Sequence, residues 1–244
     1  MELKLRKEGH EIFIPDGAAV LGAIARTTHL GVAAHPDDLE IMAYHGILKC
    51  FLSDTDDFFG VIATDGAGSP RAGFYKRYSD EEMKAVRKKE QKKAALVGEY
   101  AGVAFLNYTS AEVKDPKNLG PRDDLENLLV LARPRVVYTH NPADKHDTHV
   151  ATALRTIQAL RGIPAELRPE KVYGCEGYDM ATIGRRRAHA TYYATHDVDV
   201  ATSMIFAMDL TALVTDPSLD IKEFVCRYIN RFAADVRNRI DKLL

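Results

Sequence analysis

The chain has 244 residues, of which 46% are hydrophobic and 28% are charged, a composition typical of globular proteins. Its 33 basic and 35 acidic residues leave a formal charge of −2, so no broad positive field attracts nucleic acid or anionic lipid. The three cysteines form no CxxC pair, Met1–Pro15 lacks the apolar core of a signal peptide, and no apolar run has the length of a membrane span, which together predict a cytoplasmic protein.

Strand-like apolar runs alternate along the chain with segments of helical periodicity. The predicted strands are Leu30–Ala34, Phe58–Thr64, Val103–Leu106, Arg135–His140 and Lys171–Gly174. The predicted helices are Leu39–Leu52, Asp80–Tyr100, Asp123–Ala132 and Thr148–Arg161, followed by an amphipathic C-terminal helix at Ile221–Leu244. This alternation favours one α/β domain over residues 1–244, with a Rossmann-like, mostly parallel sheet flanked by helices. The C-terminal helix leaves two packings open, against its own sheet or against a second copy in a homo-oligomer.

A histidine and two adjacent acids follow the first predicted strand, in the run His35-Pro36-Asp37-Asp38. Neighbouring carboxylates repel each other, and a divalent metal would resolve that repulsion. After the fourth predicted strand, His146 and His149 are three residues apart, so a first helical turn would place both rings on one face. Because the carboxyl ends of parallel strands meet at one edge of a sheet, the two clusters are expected to converge.

His35, Asp38 and His149 offer two nitrogens and one oxygen, a donor set that suits zinc with a fourth position open for water. Fe²⁺ or another divalent metal is an alternative occupant. Asp37 and His146 then lie near the metal without binding it. A free carboxylate and a free imidazole are the pair that general base and acid catalysis requires.

Two other interpretations fit parts of the same pattern. Asp37 or Asp38 would cap the following helix in a protein without any metal. Alternatively, His35 and Asp37 form the HxD element of a non-haem iron site, with Asp37 as the ligand instead of Asp38. The strand–helix alternation argues against this second interpretation, because such oxygenases are built on all-β folds.

The run Ala34-His35-Pro36-Asp37-Asp38-Leu39-Glu40 resembles the AHPDDxE signature of the LmbE-like (PIG-L) zinc deacetylases, and His146–His149 resembles the family's second motif. The resemblance implies an N-deacetylase that acts on an N-acetylglucosamine-type sugar or its conjugate. It implies that His35, Asp38 and His149 bind zinc and that Asp37 is the general base. His146 would stabilise the oxyanion and protonate the leaving amine.

Arg87-Lys88-Lys89-Glu90 is similar to the family's helical RxxE, whose arginine binds sugar hydroxyls, so Arg87 is a candidate substrate-binding residue. An exposed, solvated arginine is the alternative interpretation. The glycine-rich segment Thr64–Arg71 would either shape the mouth of the site or simply connect two elements.

Three features depart from the family pattern. The second motif places Thr148 where the family usually has an acid, with Asp147 shifted by one position. No acid follows the third predicted strand before Glu112, although characterised sugar deacetylases often have one there to bind a sugar hydroxyl. The sequence also passes directly from Glu176 to Gly177, where similar relatives have a longer tryptophan-containing segment.

The first hypothesis is therefore a zinc-dependent deacetylase whose partner is a small-molecule sugar conjugate. Among enzymes, the most similar alternative is a zinc amidohydrolase that acts on a different substrate. The alternative is a protein that keeps the metal and binds a sugar or metabolite with weak turnover or none. Asp37 favours the enzyme, because a binding protein has no need of a base beside the metal.

Overall fold

A computed structural model describes residues 2–175, 207–228 and 233–244. The strands are β1 Glu11–Phe13, β2 His29–Ala33, β3 Phe58–Thr64, β4 Gly102–Tyr108, β5 Val136–His140, β6 Lys171–Cys175 and β7 Met208–Asp209. Together they form a seven-stranded sheet in the order β1-β4-β3-β2-β5-β6-β7. The five inner strands run parallel, while β1 and β7 close the two edges as antiparallel strands. The α/β class with a mostly parallel sheet is therefore confirmed.

The helices of the described residues are α1 Val20–Ala25, α2 Asp38–Met42, α3 Tyr44–Cys50, α4 Asp80–Val97, α5 Ser110–Lys114, α6 Gly120–Ala132, α7 Asp147–Gly162, α8 Thr211–Thr215, α9 Ile221–Tyr228 and α10 Ala233–Leu243. Short 3-10 helices occupy Gly73–Arg77 and Ala165–Leu167. None of the helices in this described part of the chain combines the length and the apolar character needed to cross a bilayer.

The prediction of a single helix over Leu39–Leu52 is wrong, because the segment forms two helices, α2 and α3, that are separated at Ala43. Ala43 has φ −105° and ψ 16°, outside the helical region. The turn brings Gly46 of α3 against the ring of Tyr138, where a Cβ would lie 2.4 Å from a ring carbon. A glycine at this position is what allows the helix to approach the sheet so closely.

The predicted helix at Asp80–Tyr100 ends earlier, at Val97, since Glu99 adopts a left-handed conformation with φ 52°. The C-terminal segment, predicted as one helix, is described as α9 and α10, and residues 229–232 between them lie outside the described part. Val225, Val236 and Ile240 of these helices are buried in the core of this chain, so the described part of the segment packs against its own domain.

Two layers of helices cover the sheet. On one face, α6, α7 and the C-terminal helices form the larger core, and on the other face α2 and α3 pack with aromatic residues of the strands. The edge strands β1 and β7 were absent from the sequence prediction, because segments of three and two residues are too short to show a period of two.

Leu39 holds the loop after β2 against the sheet. Its methyl groups occupy the space above Gly31 and Gly60, where added Cβ atoms would lie 2.7 Å and 2.5 Å from them.

Strands β2 and β5 are neighbours at the point where the strand order reverses, and ligands bind α/β sheets at such a point beyond the carboxyl ends of the strands. The residues that follow these two strands therefore meet in one crevice.

Candidate active site

Asp37 lies in a strained loop between β2 and α2. Its backbone is left-handed, with φ 89° and ψ −22°, a conformation that is uncommon for a residue with a Cβ. Its side chain makes no capping hydrogen bond to α2, so the helix-cap interpretation does not describe Asp37. Strain of this kind persists only where the surroundings impose it.

A buried network imposes the conformation of Asp37. The Asp37 backbone N–H donates to Oε1 of Gln91 at 2.9 Å, and Gln91 is 1% exposed. Nε2 of Gln91 donates to Glu40 at 2.8 Å, and the hydroxyl of Tyr100 donates to the same oxygen at 2.7 Å. The last residue of the AHPDDxE run thus orients Gln91, which in turn fixes the backbone of Asp37.

Asp38 is the buried centre of the site and is only 4% exposed. Its Oδ2 accepts a hydrogen bond from the His35 backbone N–H at 2.8 Å and lies 3.2 Å from Nδ1 of the same residue. Nε2 of His140 and Nε2 of His149 lie 3.3 Å and 3.5 Å from it. Burial by itself would raise the pKa of this carboxyl, but the surrounding imidazoles hold the pKa well below its ordinary value. Asp38 is accordingly a carboxylate.

His149, in the first turn of α7, is oriented by a second buried acid. Its Nδ1 lies 3.0 Å from Oδ2 of Asp144, which accepts only, so this nitrogen carries the proton. Burial and the neighbouring His140 lower the pKa of His149, which keeps the ring neutral. The lone pair on Nε2 is then directed toward Asp38, the arrangement in which a neutral imidazole binds a metal.

His140 ends β5 and is fully buried, with its ring stacked on that of His149 at 4.0 Å between centroids. Its Nε2 accepts a hydrogen bond from the Ala34 backbone N–H at 2.9 Å. This bond ties the ends of β5 and β2 together next to Asp38.

In the part of the chain that the structure describes, two groups of residues have the donors and spacing of a metal site, namely His35 with Asp38 and His149, and His140 with Asp144 and His149. Zinc bonds of about 2.1 Å at tetrahedral angles separate ligand atoms by about 3.4 Å. The separations of His35 Nδ1 and His149 Nε2 from Asp38 Oδ2, at 3.2 Å and 3.5 Å, match this value. Every member of the first group also lines a cavity of about 410 Å³, so a metal there keeps an open position. The first group therefore fits a catalytic divalent metal.

The same cavity brings together every site residue predicted from the sequence, since Asp37, Arg87 and His146 line it beside the three ligand candidates. The ring of His146 lies 5.0 Å from that of His35 and 4.4 Å from that of His149, measured between centroids. Burial and these two rings lower the pKa of His146, which makes it neutral before it meets substrate. Asp37 lies outside both metal-ligand groups, so the geometry does not support the HxD iron site.

Arg87 is not a freely solvated arginine. Its guanidinium lies 2.5 Å from Asp37 and 2.5 Å from Glu90, and it donates to the Pro36 carbonyl. Burial raises the pKa of Asp37, while Arg87 acts in the opposite direction. The glycine-rich segment after β3 also lines the cavity, through Gly66, Gly68, Ser69 and Pro70.

The departures in the second motif have a structural explanation. Asp147 lies 2.8 Å from Nε of Arg239 on α10, so it binds the C-terminal helix and not the ring of His146. Thr148 lines the cavity in the position where the family usually has an acid. The join at Glu176–Gly177 lies outside the described residues.

Sequence reasoning gave no role to Asp144, His140 or Gln91. His140 ends the fourth predicted strand and Asp144 stands in the polar run that follows it, and these positions were the available signal. Gln91 lies in a lysine-rich helix and carries no local signal at all. Its role depends on the packing of α4 against the loop after β2.

The family and fold comparisons agree with this geometry. A family model described as PIG-L, GlcNAc-PI de-N-acetylase, matches residues 30–160. That region holds both metal-ligand groups and Arg87. Among curated proteins, none matches the chain significantly.

Solved structures with this fold have low sequence identity to the chain. The N,N'-diacetylchitobiose deacetylase of Pyrococcus horikoshii is 19% identical with a TM-score of 0.51, over 83% of this chain and 79% of that protein. GalB, the 4-carboxy-2-hydroxymuconate hydratase of Pseudomonas putida, is 16% identical with a TM-score of 0.52, over 87% and 88%. A conserved protein of Thermus thermophilus is 22% identical with a TM-score of 0.49, over 60% of this chain and 64% of that protein, less than two thirds of its length. Since the first two differ in reaction, the fold by itself does not decide the chemistry.

Proposed function

Because the chain belongs to the PIG-L family, we propose that it is a zinc-dependent hydrolase that removes the acetyl group from an N-acetylated amino sugar or its conjugate. The observation that carries this proposal is the position of Asp37. Its carboxylate lines the same cavity as the three metal-ligand candidates and belongs to neither metal-ligand group. A carboxylate in that position is suited to take a proton from the attacking water.

In this proposal, different residues of the chain carry out different steps of the reaction. When bound, a divalent metal supplies a Lewis acid that polarises the acyl carbonyl and lowers the pKa of water. Asp37 accepts the proton of the water as its oxygen attacks the amide carbon. His146 stabilises the developing oxyanion, takes up a proton from solvent as that negative charge forms, and gives the proton to the amine as the C–N bond breaks, while Asp37 releases the proton of the water to solvent. The products are acetate and a free amine.

Arg87 has two roles in this proposal. Its ion pair with Asp37 holds the base in place, and the remaining guanidinium donors bind hydroxyl groups of the sugar. The Nε–H of Arg87 is buried and makes no hydrogen bond within the described residues. A buried donor without a partner is costly, which is consistent with a partner supplied by the substrate.

The test is acetate release by the zinc-loaded protein from N-acetylglucosamine and from a panel of its glycosides, measured before and after removal of the metal by a chelator. Activity is expected with metal and none without it, and reconstitution with Fe²⁺ shows whether iron also supports turnover. The His35→Ala and His149→Ala variants should lose both metal and activity. His10→Ala is the matched control, because His10 is exposed on the N-terminal segment.

A protein that binds zinc at full occupancy but releases no acetate from any N-acetyl sugar would contradict the proposal. That result would favour the alternative, a metal-retaining binding protein. Full metal content in either the His35→Ala or the His149→Ala variant would show that the proposed ligand set is wrong.

A further inference from the structure

The segment after β4 supplies one wall of the cavity, and that wall carries a basic side chain. Ser110 and Lys114 lie one turn apart on α5, and both line the cavity together with Thr64. Strand pairing aligns Thr64 at the end of β3 with Tyr108 at the end of β4. The three side chains therefore come from the carboxyl ends of two neighbouring strands.

Within the described residues, no carboxylate forms an ion pair with Lys114. The other cation of the cavity, Arg87, pairs with Asp37 and Glu90. An ammonium group that lines a cavity without a carboxylate partner attracts an anionic ligand.

Two acids that flank this part of the cavity in the sequence, Glu112 and Asp65, are engaged elsewhere. Glu112, two residues before Lys114, accepts hydrogen bonds from the backbone and hydroxyl of Thr109 and lies 2.6 Å from Nζ of Lys7. Asp65, which follows Thr64, lies 3.1 Å from Nζ of Lys84. Neither acid lines the cavity, so the wall after β4 presents a positive charge and hydroxyl groups to the ligand.

Thr64 provides a second, independent observation. The residue is 2% exposed, and its Oγ1 is buried without a hydrogen-bond partner within the described residues. A buried hydroxyl in that state destabilises the fold unless a ligand completes its hydrogen bonding. Thr64 lines the cavity, so a bound ligand is available to do so.

We propose that Lys114, Thr64 and Ser110 form a subsite for an anionic group, a carboxylate or a phosphate, on the substrate. The inference rests on the proposed deacetylase function and narrows its substrate class to N-acetylated amino sugars that carry a negative charge. Lys114 pairs with the anion, and the two hydroxyl groups donate hydrogen bonds to its oxygens. The segment after β4 lacks the acid that sugar deacetylases often use there to bind a sugar hydroxyl. In this proposal the same segment binds an anionic substituent instead.

The test measures binding of deacetylated sugars, which the enzyme does not consume, to the metal-loaded protein by calorimetry. The anionic probes are glucosamine 1-phosphate, glucosamine 6-phosphate and muramic acid, and the neutral probe is methyl glucosaminide. At least one anionic probe is expected to bind roughly 10-fold more tightly than the neutral probe, the gain typical of a hydrogen bond to a charged group. Lys114→Met should abolish that difference without weakening the neutral probe, and Lys114→Arg should retain most of it.

Lys117→Met is the matched control, because Lys117 is exposed outside the cavity and its loss changes the net charge equally. It should leave all affinities unchanged. Thr64→Val should weaken the anionic probe several-fold and leave the melting temperature unchanged or higher, whereas a purely structural hydroxyl would show a lower melting temperature and unchanged binding.

The inference is overturned if no anionic probe binds more tightly than the neutral one, or if Lys114→Met leaves the preference intact. Acetate release from the N-acetylated counterparts is measured separately. Binding that depends on Lys114 without acetate release would contradict the deacetylase function and keep the subsite. Acetate release without any preference for anionic sugars would support the deacetylase function and contradict the subsite.

Discussion

The carboxylate of Asp144 lies 3.0 Å from Nδ1 of His149, while Nε2 of the same ring points to Asp38. This relationship fixes both the tautomer and the direction of the ring. A carboxylate that supports a metal-binding histidine in this way also raises the basicity of the ligand nitrogen. The support comes from the loop before α7 and not from the acid within the second motif.

Asp144→Asn should weaken metal affinity by about 10–100-fold, because the amide is a poorer acceptor for the Nδ1 proton. The affinity is measured by competition with a chromophoric chelator. Asp147→Asn is the control of equal charge, since Asp147 pairs with Arg239 and does not contact the ring. Equal affinities for the Asp144→Asn variant and the wild type would rule out this positioning role.

Asp37→Asn should lower kcat by about 10²–10⁴-fold with little change in metal content, since the proposed mechanism makes Asp37 a base and not a ligand. Asparagine tolerates the left-handed backbone at this position, so the fold is retained. Kinetics and elemental analysis on the same preparation check both parts. Loss of metal from this variant would instead show that Asp37 is a ligand.

Gln91→Leu should lower kcat more than metal affinity, because the Asp37 N–H loses its acceptor. It should also cost about 1–3 kcal/mol of stability, since buried polar groups are left unpaired. Tyr100→Phe removes the other donor to Glu40 and does not contact Asp37, so it should lower the free energy of unfolding alone. Denaturation and steady-state kinetics are compared for the pair. A similar fall of kcat in both variants would indicate general destabilisation.

Leu39→Ala should destabilise the fold by about 2–5 kcal/mol, because it leaves a cavity above Gly31 and Gly60. Ile41→Ala is the control, since Ile41 is 44% exposed and its truncation should change stability by less than about 0.5 kcal/mol. Urea unfolding monitored by circular dichroism measures both. Equal effects would mean that Leu39 does not anchor the loop after β2.

The local parts of the structure could be predicted from the sequence. The strand Phe58–Thr64 was bounded correctly, because a continuous apolar run between turn signals is typical of a buried parallel strand. The convergence of His35 and His149 also followed from the sequence, since His35 follows the parallel strand β2 and His149 lies in the helix that follows the parallel strand β5. The break at Ala43 and the edge strands could not be predicted, because close packing and pairing with distant strands determine them.

The sequence by itself determined which polar residues stand next to one another along the chain. Adjacent positions such as Asp37 and Asp38 are held together by the chain, and their spacing from His35 is covalent. Only the tertiary structure decided what each side chain faces. Arg87 reaches Asp37 from a helix far along the chain, Asp147 turns to Arg239, and Lys114 lines the cavity where Glu112 does not. These outcomes depend on backbone dihedrals and on packing between elements far apart in the chain, and a local pattern of residues contains neither.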